Sequence, residues 1–386
     1  MTSPLSRRAW LRTTSLGVGA GLLVPSALPA LGRGAFPDAN DLGAYATHVA
    51  AERAAAGAVR LQSNENPYGM SPRAKQAMLD AWDEHNKYGS PAIALLKETY
   101  AAHVGVPAEC VMVTQGSREV ICTAALAFGI DGQELIAADP TFEAMAEYGG
   151  HMGRTVHRVP LDAAHGHDLE AMNTHVGTKT GLVFVCNPNN PTGALMPDAS
   201  LRDFVVSNAQ RTTVLVDEAY HEYVTDSSYR TMIDLVLQGR NVIVLRTASK
   251  IHGLAGCRIG FAIARPDIIA RLQGFTTGVP NALSARAAIA AVNDREWPRF
   301  CVQQNTEARE ILRAAIANTG CAQTPSQTNF IFFDARQPAS NVRTRLEARG
   351  YLVGRTFPPY NTWVRVSVGT PEEMRAFAKV LPEALD

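Results

Sequence analysis

The sequence predicts an α/β protein, with a large domain on a mostly parallel central sheet and a smaller α+β domain after it. Three observations carry this expectation. At 386 residues the chain exceeds what one ordinary core spans, so two domains are expected. Short, nearly continuous apolar runs alternate with helix-period segments, the pattern of strands buried on both faces and joined by crossover helices. The composition, 46% hydrophobic and 19% charged with 30 Gly and 22 Pro, is that of a loop-rich globular protein, not a fibre or a disordered chain.

Along the chain, residues 40–59 read as a connecting arm with some helical character. The segment Leu61-Gln62-Ser63-Asn64-Glu65-Asn66-Pro67-Tyr68-Gly69 reads as turns. Apolar runs at residues 111–114, 135–138, 181–186, 213–216, 242–245 and 259–263 are the expected strands. Helical patterns at 118–128, 142–149 and 200–209 lie between them, which gives the β-α-β-α order of a parallel sheet. Beyond Pro280 a long Ala-rich helical pattern, 284–317, leads to expected elements at 329–333, 342–348 and 363–368. The expected domains are therefore an arm at 33–66 joined to the small domain, a large domain at 67–280 and a small C-terminal domain at 281–386.

Lys plus Arg equals Asp plus Glu at 36 each, so no net field attracts nucleic acid or an anionic membrane surface. The six cysteines form no C-x-x-C pair, which suggests neither a zinc site nor a disulfide framework, and no metal is expected. The N-terminus differs from the rest. Ser6-Arg7-Arg8-Ala9-Trp10-Leu11-Arg12 precedes an uncharged stretch to Leu31 and resembles a twin-arginine export signal over residues 1–32. Pro25 and Pro29 interrupt the stretch, which falls short of the ~20 clean apolar residues that a membrane span needs. The expectation is a periplasmic protein without a stable membrane anchor, or a cytoplasmic one if these residues are not a signal.

Four polar motifs follow the carboxyl ends of expected strands, the edge where an open α/β sheet binds ligands. They are Gly116-Ser117-Arg118-Glu119, Asn187-Pro188-Asn189-Asn190-Pro191-Thr192-Gly193, Asp217-Glu218-Ala219-Tyr220 and Thr247-Ala248-Ser249-Lys250. Each alone could be a turn or a helix cap. A lysine ending an apolar strand and a carboxylate at the end of Val214-Leu215-Val216 are costly to bury unless solvated, paired or chemically used.

In this order, and with N-E-N-P-Y-G at the start and an Arg eight residues after S-K, the chain resembles the fold-type I aminotransferases that use pyridoxal 5'-phosphate (PLP). Within them it is most similar to the histidinol-phosphate aminotransferase branch, from about residue 61 to 381. The resemblance implies that the large domain binds PLP and that Lys250 holds it as a Schiff base, then moves the proton of the substrate α-carbon. It pairs Asp217 with the ring nitrogen and sets Tyr220 and Asn190 at the ring oxygen. Phe142 stacks on the ring, where the family often has Tyr, so a π-face is kept and a hydroxyl lost. The phosphate falls to Ser117, the backbone N–H groups of Arg118 and Glu119 at a helix start, Thr247, Ser249 and Arg258.

The same resemblance has Arg365, Arg355 and Asn190 hold the substrate, and makes the protein a homodimer in which Tyr68 reaches the neighbouring site. The small-molecule partners would be an amino donor and a 2-oxo acid. Either histidinol phosphate or an ordinary amino acid suits the arginines. Export would favour a general or aromatic amino acid, since an intermediate such as histidinol phosphate is made and consumed in the cytoplasm. A PLP decarboxylase or lyase of the same fold is the alternative reading, and a non-catalytic PLP-binding protein the second.

Overall fold

The computed structural model describes residues 41–55 and 57–386. The expected leader at 1–32 lies outside the described residues. After helix α1 (Leu42–Ala55) and strand β1 (Val59–Leu61) come α2 (Pro72–Asp80) and α3 (Ser90–Val104). Strands and helices then alternate as β2 (Val111–Thr114), α4 (Ser117–Gly129), β3 (Glu134–Asp139), α5 (Ala144–His151), β4 (Val156–Pro160), α6 (Leu169–Thr174) and β5 (Thr180–Cys186). The alternation continues through α7 (Asp198–Asn208), β6 (Thr213–Asp217), α8 (Ile233–Leu237), β7 (Val242–Thr247) and β8 (Gly260–Ile263). Three helices follow, α9 (Pro266–Gln273), α10 (Ala282–Asn293) and α11 (Glu296–Asn318). The chain ends with β9 (Phe330–Asp334), α12 (Ala339–Glu347), β10 (Tyr351–Val353), β11 (Trp363–Ser367) and α13 (Pro371–Leu385).

Seven strands form the large sheet in the order β2-β8-β7-β6-β5-β3-β4, parallel except for β8, which runs against both neighbours. The strand period of two explains how the apolar runs are used. Val183, Val185, Val214, Val216, Val242 and Val244 enter the core on one face, and Leu182, Phe184, Leu215, Ile243 and Leu245 the core on the other. Burying such a side chain contributes about 1.5–3 kcal/mol, which is why continuous β-branched and Leu runs stay in the middle of the sheet. The edge strand β4, Val-His-Arg-Val-Pro, is half exposed and lacks a continuous run, so it does not stand out in the sequence.

The Ala-rich pattern at 284–317 is not one helix. It breaks after Asn293, where the Asp294 side chain accepts the N–H groups of Glu296 (3.2 Å) and Trp297 (3.1 Å) and so caps a second helix. Ala285, Ala287, Ala288 and Ala291 of α10 pack into the first core of the large sheet, although they lie past the expected boundary at 280. α11 turns instead to a third core, where Leu312 and Ile316 meet Phe333, Phe377 and Leu381. There β9 pairs antiparallel with β11, and β1 runs parallel to β10 from Val59↔Tyr351 to Leu61↔Val353. The pairing of β1 brings residues 62–65 to the carboxyl edge of the large sheet.

Candidate functional site

Strands β2, β3, β5, β6 and β7 all point the same way, so their carboxyl ends share one edge. A cavity of about 530 Å³ opens there, between the loops after these strands, residues 62–65 and the segment from β10 to β11. It brings together Lys250, Asp217, Tyr220, Asn190, Phe142, Ser117, Arg118, Ser249, Arg258, Arg355 and Arg365, eleven of the expected site residues.

Lys250 stands on the turn after β7, and its Nζ donates to the Ser63 carbonyl at 3.1 Å. Burial, and then the Arg365 charge, push the amine down to about 8, within reach of its neutral form. Asp217, at the end of β6, is 3% exposed, and its carboxylate accepts the Ala219 N–H at 3.0 Å. Among the described residues no cation lies within ion-pair distance of it, and burial raises its carboxyl to about 7. A buried carboxylate in that state calls for a cation. The buried Tyr220 hydroxyl accepts from Asn64 Nδ2 at 3.0 Å, which leaves its own proton free to donate.

At the other end, Gly116 and Ser117 open α4 beside Arg258, Ser249 and β8. Arg258 adopts φ 56°, and its Nη1 donates to the Ala255 carbonyl (2.9 Å) and to the Ser249 hydroxyl (3.4 Å). Gly116 has φ 81°, and a Cβ there would collide with the Arg258 guanidinium. Backbone, hydroxyls and a guanidinium thus converge at a helix start, which suits a phosphate. Two expectations need correction. The Glu119 N–H already donates to the Gly116 carbonyl at 3.1 Å, because the first turn of the helix closes on it. Thr247 is buried away from the cavity, where its hydroxyl accepts the Ser249 N–H at 3.1 Å and donates to the Ile259 carbonyl at 3.4 Å; it orients Ser249.

Arg365 on β11 is 8% exposed and donates to the Asn190 side-chain oxygen and to the Gln62 carbonyl (2.7 Å). Its Nε is buried without a partner. The bond to Asn190 uses that residue's oxygen and leaves its amide N–H groups available. Arg355 pairs with Glu143 at 2.8 Å and lies 4.3 Å from the Phe357 ring. Arg118 lines the cavity and pairs loosely with Glu147 at 3.4 Å.

Tyr68 does not join the cavity of its own chain. It is buried against Phe300, and its hydroxyl donates to Gln304 at 3.0 Å. The sequence reading missed Asn64, Gln62, Ser63, Glu143, Cys186 and Arg343, which also line the cavity. Asn64 had a signal, since it lies inside the quoted N-terminal motif, but it reads as a turn residue and its φ of 53° fits a turn. Gln62 and Ser63 act through carbonyls, for which no residue type is diagnostic.

PLP fits these residues: the phosphate cup and the buried Asp217 carboxylate supply an anion site and a cation site at the two ends of one cavity. The comparisons agree. The family described as Aminotransferase class I and II matches residues 56–381. A histidinol-phosphate aminotransferase of Moorella thermoacetica is 37% identical over 331 residues, 85% of each chain. One from Anoxybacillus flavithermus is 35% identical, over 85% of this chain and 90% of that one. A solved histidinol-phosphate aminotransferase from Sinorhizobium meliloti, in complex with pyridoxal-5'-phosphate, superposes with a TM-score of 0.80 at 26% identity, over 88% and 94% of the two chains.

These relatives also correct the expected localisation. They are histidinol-phosphate aminotransferases, biosynthetic enzymes whose named substrate is made and consumed inside the cell, and against them the periplasmic expectation does not hold. A family match over most of the chain, with Lys250 and Asp217 meeting in the cavity it implies, leaves one conclusion: the chain belongs to the class I and II aminotransferases and is a PLP-dependent aminotransferase.

Proposed function

We propose that this aminotransferase takes its amino group from histidinol phosphate and passes it to a 2-oxo acid. The observation that carries the reading is Arg365, a buried guanidinium with an unpartnered Nε, facing the cavity that holds Lys250. Such a group is expensive to leave without an anion. The relatives' name favours histidinol phosphate as the molecule that brings it, and the argument from export for another donor falls with the corrected localisation.

Bound in the cavity, PLP supplies an electron-poor ring that takes up the electron pair left when the donor's α C–H bond breaks. The chain's residues do the rest. Ser117, the Arg118 N–H, Ser249 and Arg258 would hold the phosphate, and Phe142 would cover the ring. Asp217 would pair with a protonated ring nitrogen, which would satisfy its own buried charge. Tyr220 and the amide of Asn190 would donate to the ring oxygen, each freed for this by the bond it makes with Asn64 or Arg365. Lys250, as a neutral amine, would take the proton from the substrate α-carbon. Arg365 fixes the substrate's anionic end, with Arg355 and Glu143 at the same wall, and so sets the α C–H bond against Lys250. A decarboxylase or lyase reading is not favoured, because the family and the relatives named here are aminotransferases.

We further propose a homodimer. The exposed Leu79, Trp82, Tyr88 and Leu95 belong to segments adjoining Val279. A Cβ at Gly89 would touch the Ala282 backbone at 2.9 Å, and Gln115, two residues before Ser117, donates to the Val279 carbonyl at 2.9 Å. A second copy covering that surface would complete the phosphate end, where the resemblance puts the neighbour's Tyr68. Sedimentation velocity should give a dimer, and Trp82→Glu should shift it to monomer.

The donor is tested by mixing the PLP form with histidinol phosphate or with single amino acids and following the cofactor's visible absorption. Histidinol phosphate should react fastest at equal concentration. An aromatic or aliphatic amino acid with a higher kcat/KM overturns the reading. Borohydride should fix the cofactor on Lys250, and a label on any other lysine removes the mechanism.

A further inference from the structure

Besides Arg118 and Arg258 at the phosphate cup, three arginines from three elements line the cavity: Arg365 on β11, Arg355 after β10 and Arg343 in α12. Their charges are not equally free. Arg355 is offset by Glu143 at 2.8 Å. Arg365 bonds only neutral acceptors, Asn190 and the Gln62 carbonyl, and keeps its full charge. Arg343 is half-buried at the cavity wall, and among the described residues it has neither a carboxylate within ion-pair distance nor a hydrogen-bond acceptor. The other arginine on α12, Arg345, is by contrast held by Gln337 and the Ala384 carbonyl.

Apart from Arg258, which the phosphate cup uses, two uncompensated guanidinium groups therefore face the cavity. A substrate with a single carboxylate satisfies one of them. The second gives up hydration for nothing unless the ligand carries a second negative charge. An α-carboxylate of an ordinary amino acid supplies one charge, a phosphate monoester supplies two on one group, and a dicarboxylic acid supplies two on separate groups.

We propose that Arg343 is a specificity-determining residue that acts with Arg365 to select doubly negative substrates, a phosphate monoester in the amino donor and a dicarboxylic 2-oxo acid in the acceptor. This rests on the aminotransferase reading above and deepens it. Donor and acceptor use the cavity in turn, so one pair of arginines serves both when both carry two charges. Arg343 belongs to a helix outside the large sheet and touches no reacting atom, so it acts on substrate affinity and leaves the proton transfer alone.

The test is steady-state kinetics of Arg343→Gln and Arg343→Lys, loaded with PLP and checked by thermal melting, with histidinol phosphate, glutamate and phenylalanine as donors. Arg343→Gln should raise KM for histidinol phosphate and glutamate about tenfold, the loss of one charge-assisted hydrogen bond, with kcat little changed. KM for phenylalanine should stay as it was, and Arg343→Lys should recover part of the loss. Inorganic phosphate should inhibit the wild type competitively and Arg343→Gln about tenfold more weakly by the same arithmetic. An unchanged KM for both doubly charged donors, an equal rise for phenylalanine, or unchanged phosphate inhibition overturns the proposal. If the wild type ignores histidinol phosphate while Arg343→Gln weakens glutamate alone, the proposed donor fails and the role of Arg343 stands.

Discussion

Asn64 donates through Nδ2 to the Tyr220 hydroxyl at 3.0 Å, across 156 residues of chain. The same side chain accepts the Ser367 hydroxyl at 2.8 Å, and its backbone N–H donates back to that hydroxyl at 2.8 Å. Asn64 therefore ties the first strand segment, the end of β6 and the end of β11 at one point. Burial pushes the Tyr220 phenol far above its ordinary value, so the group stays a hydroxyl and the bond from Asn64 decides where its proton points.

Asn64→Ala should lose about 1–3 kcal/mol of stability, because the Ser367 and Tyr220 hydroxyls lose a buried partner. The positive φ adds about 1 kcal/mol of strain for a residue other than Gly or Asn. Asn64→Asp separates the two effects. It keeps the acceptor for Ser367 and competes for the Tyr220 proton, so it should retain most of the stability but lower kcat about as much as Asn64→Ala does. Urea unfolding and steady-state kinetics on the pair check this, and an Asn64→Asp enzyme with wild-type kcat removes the orienting role.

Asp217 gives a pH dependence whose sign follows from its burial. In the cofactor-free protein its carboxyl is raised to about 7, above its value near 4 in the unfolded chain, so the folded state holds the proton more tightly. Its contribution is complete below pH 4 and is lost as pH rises through 7. Cofactor-free Asp217→Asn should therefore gain on the wild type across that window, by a few kcal/mol at pH 8. With PLP bound, the ring's positive charge should remove the advantage, and turnover should fall by several orders of magnitude. Melting curves with and without cofactor at pH 4, 6 and 8 decide it, and a gap between the two proteins that does not change with pH contradicts the assignment.

The parts of this arrangement that sequence reading reached are those written in consecutive residues. Lys250, Asp217, Tyr220 and Ser117 each sit at the end of an apolar run, and strand alternation with a shared edge brings such ends together. Direction is not written in an apolar run, so nothing marks β8 as the reversed strand. The Ala-rich pattern runs on either side of a break that the polar Asn293-Asp294 and the following Pro298 mark, and the acceptor geometry of Asp294 splits the two helices. Arg343 reaches the cavity through the packing of α12 on β10 and β11, a tertiary fact without a local motif. Glu119 shows the converse, since a helix-start motif was read correctly while one of its N–H groups was already used inside the turn.

Arg365 gives the third prediction. A lysine there keeps a charge but cannot bond Asn190 and Gln62 and grip an anion at once, because it lacks the planar fork. Arg365→Lys should lower kcat/KM for every productive donor by about 2–4 kcal/mol in transition-state binding. Loss of the bond to Asn190 should also shift the cofactor's absorption in the absence of substrate. An unchanged spectrum with an unchanged kcat/KM places the anion clamp elsewhere, most directly on Arg355.

The last prediction concerns Gly116. At φ 81° it holds a conformation that other residues reach at a cost of about 1–2 kcal/mol, and its Cβ would occupy the space of the Arg258 guanidinium. Arg258 cannot retreat freely, since it is itself at φ 56° and tied to Ala255 and Ser249. Gly116→Ala should therefore open the phosphate cup and weaken PLP binding at least about tenfold, roughly one lost charge-assisted hydrogen bond. Catalysis at saturating PLP should fall much less than affinity, because Lys250, Asp217 and Tyr220 lie on other strands. Gly105→Ala is the matched control: it has φ 74° and nothing within 4 Å of its Cβ, so it carries the same strain away from the cup. If equilibrium titration gives both variants the same PLP affinity, the phosphate is not held between Ser117 and Arg258.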